Sequence, residues 1–349
     1  MLKNQVVSRK NHRVRKPFRT WRRERAKRVG LIARPAERGG EARADFGRCC
    51  DEWLLSCRNG VRESTYIKYS TTVEKHIKPE LGGCTAEMID TALIDGFTAH
   101  LLGGRGLAVK TVRDILAVLR RIIEYSTESH CPDIRKVRIN YPKENHREMR
   151  VLSRDEQERF VNYLLSDTDL GKFGTLLLLF SGIRIGELCA LRWKNIDLCE
   201  RTIRISETLQ RLRDTDPASE ARTKISVGAP KSDTSVRIIP LTEQAAALCA
   251  RFSSENEEDY VLTGNKSCME PRLLQYRIGK YTRECGLEGV HAHTLRHTFA
   301  TRAAEVGFEI KTLSELLGHS TTKITLERYV HSSVELKRSN MEKLKSAGF

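Results

Sequence analysis

Apolar residues recur at helical spacing from position 46 onwards, and this periodicity limits the fold more than any other feature of the sequence. A helix turns about once every 3.6 residues, so each recurring set lies on one helical face. The four faces are Phe46, Cys49, Cys50, Trp53 and Leu54; Tyr66, Tyr69, Val73, His76 and Ile77; Ile89, Leu93, Ile94, Phe97 and Leu101; and Val109, Val112, Ile115, Leu116, Leu119, Ile122 and Ile123. Pro79 with Gly82–Gly83 is expected to end the second helix, and Gly103–Gly104 the third. Residues 44–130 are therefore predicted to form an all-α unit of four helices.

Residues 151–349 show helical patterns together with short alternating stretches. Ser153 and Glu156 have the spacing of a capping box, and an apolar helix around Phe173 to Phe180 is expected to end at Gly182. The alternating stretches are Thr202–Ile205, Thr223–Val227 and Val236–Ile239, and Pro230-Lys231-Ser232-Asp233 is expected at a hairpin turn between the last two. The fold class predicted for the chain is mainly α with a small antiparallel sheet (α+β).

Basic residues are concentrated near the N-terminus. The formal net charge is +16, and residues 1–40 contain fourteen Lys and Arg against two Glu, so they carry +12 of that charge. This distribution predicts a polyanionic partner and a body that is only mildly basic. Residues 1–43 are interpreted either as a basic arm that binds phosphates or as a disordered tail. Residues 131–150, also basic, are interpreted as a linker between the two domains.

The bulk composition excludes several classes of protein. With 39% hydrophobic and 30% charged residues, the chain is typical of a globular protein, and its apolar runs are too short to span a membrane. The basic start is followed by no apolar run typical of a secretory signal, so a cytoplasmic location is expected. The ten cysteines form no C-x-x-C pair, which favours reduced thiols over a metal site.

Four separated blocks carry residues suited to chemistry on a phosphate. They are Ser181-Gly182-Ile183-Arg184-Ile185-Gly186-Glu187-Leu188, His293-Thr294-Leu295-Arg296-His297-Thr298-Phe299-Ala300-Thr301, Leu317-Gly318-His319 and Arg328-Tyr329. Each block alone is a weak signal, but four in this order form a specific one. The set resembles the tyrosine recombinase (phage integrase) family, from about Phe46 to the C-terminus. The stretch from Glu207 to Pro230 looks most like integrases of conjugative transposons and prophages of Gram-positive bacteria.

The resemblance implies a catalytic set of Arg184, Lys231, His293, Arg296, His319 and Tyr329. Tyr329 is the expected nucleophile, which forms a 3′-phosphotyrosine. The planar guanidinium groups of the two arginines suit the non-bridging oxygens of the phosphate, and Glu187 is expected to hold Arg184 in place. His293 is expected to assist proton transfer, and His319 to donate a hydrogen bond to the phosphate. Lys231 is expected to protonate the departing 5′-oxygen, with Lys224 as an alternative.

In the first block Arg184 is expected to begin a helix. In the second block His297 is interpreted as structural support. No metal ion and no cofactor are expected.

The same resemblance predicts the partners. A recombinase of this kind acts on double-stranded DNA at specific recombination sites, as a homo-tetramer, with an excision factor or a bending protein as a further partner. Residues 44–130 are then the core-binding (SAM-like) domain and residues 151–349 the catalytic domain with a C-terminal tail. The residues after Ser333 are expected to dock on a neighbouring protomer, with folding back on their own domain as the alternative. Two alternatives stay open: a chromosome-dimer resolvase with the same chemistry, and a DNA-binding protein that does not cleave.

Overall fold

The structure is a computed structural model, and it describes residues 45–85, 88–129, 137–144, 149–215, 219–229, 233–329, 338 and 341–342. The chain divides into two compact units, Met1–His146 and Arg147–Phe349. In the described residues no helix is both long enough and apolar enough to cross a membrane. The basic segment 1–43, much of the linker and most of the C-terminal tail lie outside the described residues.

The regular secondary structure in the described part of the first unit is helical, apart from one isolated bridge between Asp45 and Thr85. Its α-helices are α1 (Phe46–Cys57), α2 (Glu63–Thr72), α3 (Thr91–Ala99) and α4 (Val109–Ser129). Asp45 and Asp90 cap α1 and α3 by accepting hydrogen bonds from backbone N–H groups of the first turn. The apolar faces predicted from the sequence pack together around Phe46, Phe97 and Leu116, which are fully buried. The four predicted helices of this unit are therefore confirmed.

The second helix ends at Leu81, directly before Gly82–Gly83, so the predicted end at the glycines is confirmed, whereas Pro79 lies inside the last turn and does not itself end the helix. A π turn, Val73–Ile77, follows α2, and a last helical turn, Lys78–Leu81, contains the proline. Proline has no N–H, and its ring crowds the carbonyl four residues earlier, here that of Lys75. The π turn shifts the hydrogen bonding by one residue, and Arg105 Nη1 donates to the Lys75 oxygen at 3.2 Å. The freed carbonyl thus has a partner, and the helix ends just before Gly82.

The second unit surrounds a buried apolar helix. Its helices are α5 (Arg154–Ser166), α6 (Leu170–Ser181), α7 (Ile185–Ala190), α8 (Glu243–Phe252), α9 (Pro271–Glu284), α10 (Ala292–Glu305), α11 (Ile310–Leu317) and α12 (Thr322–Tyr329). The predicted capping box opens α5, because Ser153 Oγ accepts from the Glu156 N–H and Glu156 Oε2 accepts from the Ser153 N–H. Helix α6 is buried on almost every side, which explains its continuous apolar sequence.

The strands form two small antiparallel sheets. Strands β1 (Ile196–Asp197), β2 (Thr202–Ile205) and β5 (Arg237–Pro240) form one, and β3 (Thr208–Arg213) and β4 (Thr223–Gly228) form the other. Ile203 pairs with Ile239 in the first sheet, and both are buried. Because β4 and β5 belong to different sheets, the segment between them is a connection between sheets. The predicted hairpin turn at Lys231 is therefore wrong, and Lys231 itself lies outside the described residues.

Candidate active site

The first arginine of the predicted set lies at a sharp turn between two helices. Gly182 ends α6 with a positive φ of 63°, and a Cβ there would lie 2.3 Å from Cδ1 of Phe299, so only glycine fits. Arg184 follows as the N-cap of α7. Its Nη1 donates to Glu187 Oε1 at 2.7 Å, and its backbone N–H donates to Glu187 Oε2 at 2.9 Å. The predicted role of Glu187 in holding Arg184, and the helix start at Arg184, are both confirmed.

Arg296 projects from α10 into the interior. Its side chain donates from Nη1 to the Gly182 oxygen at 2.7 Å and from Nη2 to the Leu317 oxygen at 2.6 Å. Arg296 is buried, and burial first, with the charge of Arg184 second, holds the pKa of this guanidinium below its usual value. The lowered pKa, about 9, is still above neutral pH, so the guanidinium stays protonated there. Arg296 therefore brings a second fixed cation beside Arg184.

A third arginine, outside the set predicted from the sequence, joins this cluster. Arg237 at the start of β5 binds both carboxylate oxygens of Glu187, from Nη1 at 3.2 Å and from Nη2 at 2.8 Å. Burial favours the neutral form of Glu187, but the hydrogen bonds and charge of Arg237, with the charge of Arg184, outweigh it and lower the carboxyl pKa. Glu187 is thus an ionised carboxylate shared by two guanidinium groups.

Tyr329 ends α12 and is buried, with 6% of its surface exposed. Its ring packs with Ala300, Leu313 and Leu317. The phenol oxygen lies 2.7 Å from Nδ1 of His297. Burial raises the phenol pKa, while the charges of Arg296 and other nearby arginines act in the opposite direction. At neutral pH the phenol is therefore protonated, and it donates this hydrogen bond in the tautomer of His297 whose Nδ1 carries no proton.

Two histidines, His297 and His319, lie next to this phenol, and His293 lies next to His297. The rings of His297 and His293 have centroids 6.4 Å apart, and the ring of His319 is stacked on Tyr329 at 6.3 Å. Nδ1 of His319 lies 2.8 Å from Oγ1 of Thr325. Burial first, and then neighbouring positive groups, lowers all three pKa values, to about 4 for His297 and about 3 for His319. All three imidazoles are consequently neutral at pH 7, so each can accept a proton.

The structure brings five of the six predicted site residues into one region of the second unit, and the sixth, Lys231, lies outside the described residues. His297 was expected only to give structural support, yet it contacts the phenol directly. Its position four residues after His293 places both rings on one face of α10, and this spacing was the available signal. No comparable sequence signal marked Arg237, because its partners come from distant parts of the chain.

Within the described ranges no cluster of three or more His, Cys, Asp or Glu side chains has a geometry suited to a metal ion. The region instead presents two positively charged arginines beside a buried phenol and neutral imidazoles. Such a set can bind an oxyanion and transfer protons.

Comparison with known proteins identifies the family. Residues 150–335, more than half of the chain, match the Phage integrase family, and residues 45–102 match the Phage integrase, N-terminal SAM-like domain. A tyrosine recombinase XerC-like protein of Caldanaerobacter subterraneus subsp. tengcongensis is 26% identical over 86% of this chain and 82% of the relative. The ICEBs1 integrase of Bacillus subtilis is 22% identical over 88% of this chain and 85% of the relative.

Solved structures share the fold. A Tn1549 transposon integrase in complex with a circular intermediate DNA matches with a TM-score of 0.70 and 21% identity, over 85% of this chain and 99% of that chain. A lambda integrase dimer bound to a COC′ core site matches with a TM-score of 0.58 and 16% identity, over 89% of this chain and 85% of that chain. The chain belongs to the phage integrase family, the tyrosine recombinases, whose members cut and rejoin DNA at specific sites.

Proposed function

We propose that this chain integrates and excises a mobile DNA element through a 3′-phosphotyrosine intermediate formed on Tyr329. Similarity to the ICEBs1 integrase and to the Tn916 transposase of Enterococcus faecalis, which is 27% identical over 55% of this chain and 52% of the relative, supports an element of the conjugative type. Residues 44–130 are proposed as the core-binding domain, 131–150 as the linker and 151–349 as the catalytic domain. We also propose a cytoplasmic location, which is consistent with DNA as the proposed substrate.

One observation carries this proposal: a buried tyrosine lies beside two arginines whose charges are only partly balanced. Among the described residues Glu187 is the carboxylate that binds Arg184, and Arg184 keeps 33% of its side-chain surface exposed. Arg296 hydrogen-bonds two neutral carbonyl oxygens. Net positive charge therefore remains for a phosphodiester, whose charge grows during the reaction. Both guanidinium groups are held in place before DNA arrives, which reduces the reorganisation needed in the transition state.

The proposed cleavage step exchanges one phosphate ester for another. The phenol oxygen of Tyr329 attacks phosphorus, an O–P bond to tyrosine forms, and the bond from phosphorus to the 5′-oxygen breaks. The phenol proton passes to a neutral imidazole, His297, whose Nδ1 lies 2.7 Å from the phenol oxygen. His293, whose ring lies beside that of His297, is proposed to assist this proton transfer, while His319 hydrogen-bonds the phosphate. Lys231 supplies the proton that the leaving 5′-oxygen requires. The reverse sequence on a second 5′-hydroxyl rejoins the strand, so no external energy source is needed.

The proposed assembly is a homo-tetramer on paired recombination sites. Two duplexes must each be cut on both strands, and one tyrosine per protomer then requires four protomers. The residues after Ser333 are proposed to dock on a neighbouring protomer, and an excision factor or bending protein is proposed to set the direction of the reaction. Analytical ultracentrifugation of the protein on paired sites would test the stoichiometry.

The experiment that tests the proposal is covalent capture of DNA by the full-length protein. The probe is a nicked duplex that carries one of the direct repeats flanking the element, obtained by sequencing the DNA on either side of the coding region. Wild-type protein is expected to retain this duplex through denaturation. Tyr329→Phe is expected to bind it with similar affinity and to retain none, because only the attacking oxygen is missing.

Other outcomes separate the alternatives. Binding without capture by the wild-type protein would favour a DNA-binding protein that does not cleave. Capture that persists in Tyr329→Phe would assign the nucleophile elsewhere. Capture and recombination at a fixed chromosomal site, but not at the ends of the element, would favour the chromosome-dimer resolvase.

A further inference from the structure

Two arginines bind Glu187, and Arg237 is the more buried of the two, with 6% of its side-chain surface accessible. The alternation of strand β5 directs Arg237 and Ile239 inwards, whereas Ile238 between them is exposed. Besides Glu187, the guanidinium donates from Nε to the Leu316 oxygen at 2.7 Å and from Nη1 to the Ser235 oxygen at 3.0 Å. Each of the three nitrogens thus donates to a protein acceptor, and four of the five N–H groups are used in this way.

The Leu316 contact is one of a series at the C-terminal end of α11. Three successive carbonyl oxygens there each accept a hydrogen bond from a different arginine: Leu316 from Arg237, Leu317 from Arg296 and Gly318 from Arg184. The last carbonyls of a helix lack partners within the helix and lie at the negative end of its dipole. The end of α11 therefore acts as a common anchor for three guanidinium groups, immediately before His319.

We propose that Arg237 is a positioning residue for DNA cleavage: it fixes Glu187 and the end of α11 so that the guanidinium groups of Arg184 and Arg296 point at the scissile phosphate. This inference rests on the function proposed above. Arg237 acts through its neighbours and touches no DNA. Arg237 also donates a hydrogen bond to the carbonyl oxygen of Ser235, which follows Lys231 by four positions in the sequence.

The charges explain why Glu187 needs a second cation. With Arg237 present, the carboxylate divides its hydrogen bonds between two guanidinium groups. Without Arg237, Arg184 would be the only cation bound to Glu187, and its guanidinium would be drawn towards the carboxylate and away from the phosphate. The Leu316 carbonyl would also lose its partner. Both changes would disturb the positions of the Arg184 and Arg296 guanidinium groups while leaving the exposed surface around them intact.

Lysine at this position cannot replace arginine fully. An ammonium group can neutralise Glu187, but it is a compact charge and cannot form the fork that reaches the carboxylate and the Leu316 oxygen together. Arg237→Lys is therefore expected to retain part of the function, and Arg237→Gln less. Small displacements of groups around a reacting centre can reduce rates by roughly 100-fold.

A matched control is available in the same unit. Arg302 binds both oxygens of Glu305, at 2.7 and 2.9 Å, and donates to the Leu152 carbonyl at 2.6 Å. It thus makes the same kinds of contact as Arg237, but none of them reaches the cluster around Glu187. Arg302→Lys should reproduce the general cost of replacing a partly buried arginine.

The test compares full-length wild type, Arg237→Lys, Arg237→Gln and Arg302→Lys on the nicked duplex. Three quantities are measured: the single-turnover rate of covalent capture, the Kd for the duplex, and the fraction folded at the assay temperature. We expect Arg237→Gln to capture DNA roughly 100-fold more slowly and Arg237→Lys roughly 10-fold more slowly, with Kd changed by less than about 3-fold. Arg302→Lys is expected to capture DNA at close to the wild-type rate.

Each other result overturns the inference. Wild-type rates for Arg237→Lys and Arg237→Gln would show that the contacts do not matter for cleavage. A rate that falls only in proportion to the fraction folded, in the Arg237 and Arg302 variants alike, would reduce Arg237 to a stability role. A parallel loss of DNA affinity would make it a DNA contact. Wild-type protein that captures no DNA would instead contradict the proposed function itself, so the two failures are distinguishable.

Discussion

Replacement of Glu187 by glutamine removes the one negative charge of the arginine cluster while keeping the shape of the side chain. Glu187 is 2% exposed and accepts four hydrogen bonds, two from Arg184 and two from Arg237. The amide of glutamine provides a single acceptor oxygen, and its NH₂ group faces donors. We therefore expect Glu187→Gln to destabilise the second unit strongly.

The magnitude follows from the exposure of the two arginines. Arg237 would remain as a cation with 6% of its side-chain surface exposed and no carboxylate partner, and removal of one partner of a buried ion pair costs about 3–5 kcal/mol. The remaining amide oxygen places the value near the lower end of that range. The side chain of Arg184 is 33% exposed, so solvent screens its ion pair with Glu187. We therefore add less than about 1 kcal/mol for the loss of this ion pair. The total is about 3–4 kcal/mol, which lowers the ratio of folded to unfolded protein roughly 100- to 1000-fold.

The assay is urea denaturation of full-length protein in which one tryptophan reports on the second unit. The chain has three tryptophans, and replacing Trp21 and Trp53 by phenylalanine leaves Trp193, which is buried and stacked on Phe173. A reporter confined to one unit is needed because a chain of two units need not unfold in a single transition.

Glu305→Gln is the matched control for this prediction. Glu305 also binds two arginines, Arg302 at 2.7 Å and Arg154 at 3.2 Å, but it is 37% exposed, and we expect a cost of about 0–1 kcal/mol. Equal loss of stability in the two variants would refute the assignment of the large cost to the buried charge.

Four further predictions concern the pH range, one glycine, the proton donor and metal ions. Burial lowers the pKa of His297 to about 4 and of His319 to about 3, so at mildly acidic pH the unfolded chain binds more protons than the folded chain. The free energy of unfolding is therefore highest above about pH 6.5 and decreases as the pH falls towards 4. The expected decrease is about 1–2 kcal/mol after allowance for solvent screening. The single-tryptophan reporter should show this loss, and His297→Gln should reduce it; a midpoint that does not change with pH would contradict it. Gly318→Ala should cost about 1–3 kcal/mol more than Gly307→Ala, because both have positive φ but only the first would place a Cβ 2.9 Å from a guanidinium nitrogen; equal unfolding midpoints would contradict this. Lys231→Ala should slow cleavage of normal DNA and recover on a substrate with a 5′-bridging sulfur, which leaves without protonation; equal defects on both substrates would assign the role to another residue. Capture should persist in excess EDTA, because the proposed reaction uses cations of the protein, and activity restored only by magnesium would refute this.

Local sequence patterns predicted most helices and strands correctly. The features that they predicted wrongly depend on contacts between residues distant in sequence. The faces containing Phe46 and Leu116 and the capping box at Ser153 were predicted correctly, because helix periodicity and capping depend on neighbours within a few residues. Pro79 was misread because a π turn and Arg105, which is distant in sequence, accommodate it. The pairing of β4 and β5 was misread because alternation identifies strands but does not specify their partners.

The candidate site was predictable to a similar extent. The spacing of the blocks indicated Arg184 and Tyr329, and the structure brings them to one region. The contact between His297 and Tyr329 spans 32 residues, and that between Arg237 and Glu187 spans 50, so no local pattern announced either. The proton-donor role of Lys231 stays a prediction.

The anchoring of three arginines on consecutive carbonyls has a consequence for biosynthesis. The contact between Arg184 and Gly318 closes a loop of 134 residues, and that between Arg237 and Leu316 closes one of 79. Contacts of such long range form late, since the chain entropy of loop closure must be overcome first. During translation the cluster of Arg184, Arg237 and Arg296 cannot assemble until the end of α11 has left the ribosome. A chain that ends before α11 would therefore reach DNA without the means to cut it, and strand cleavage is expected only after these contacts have formed.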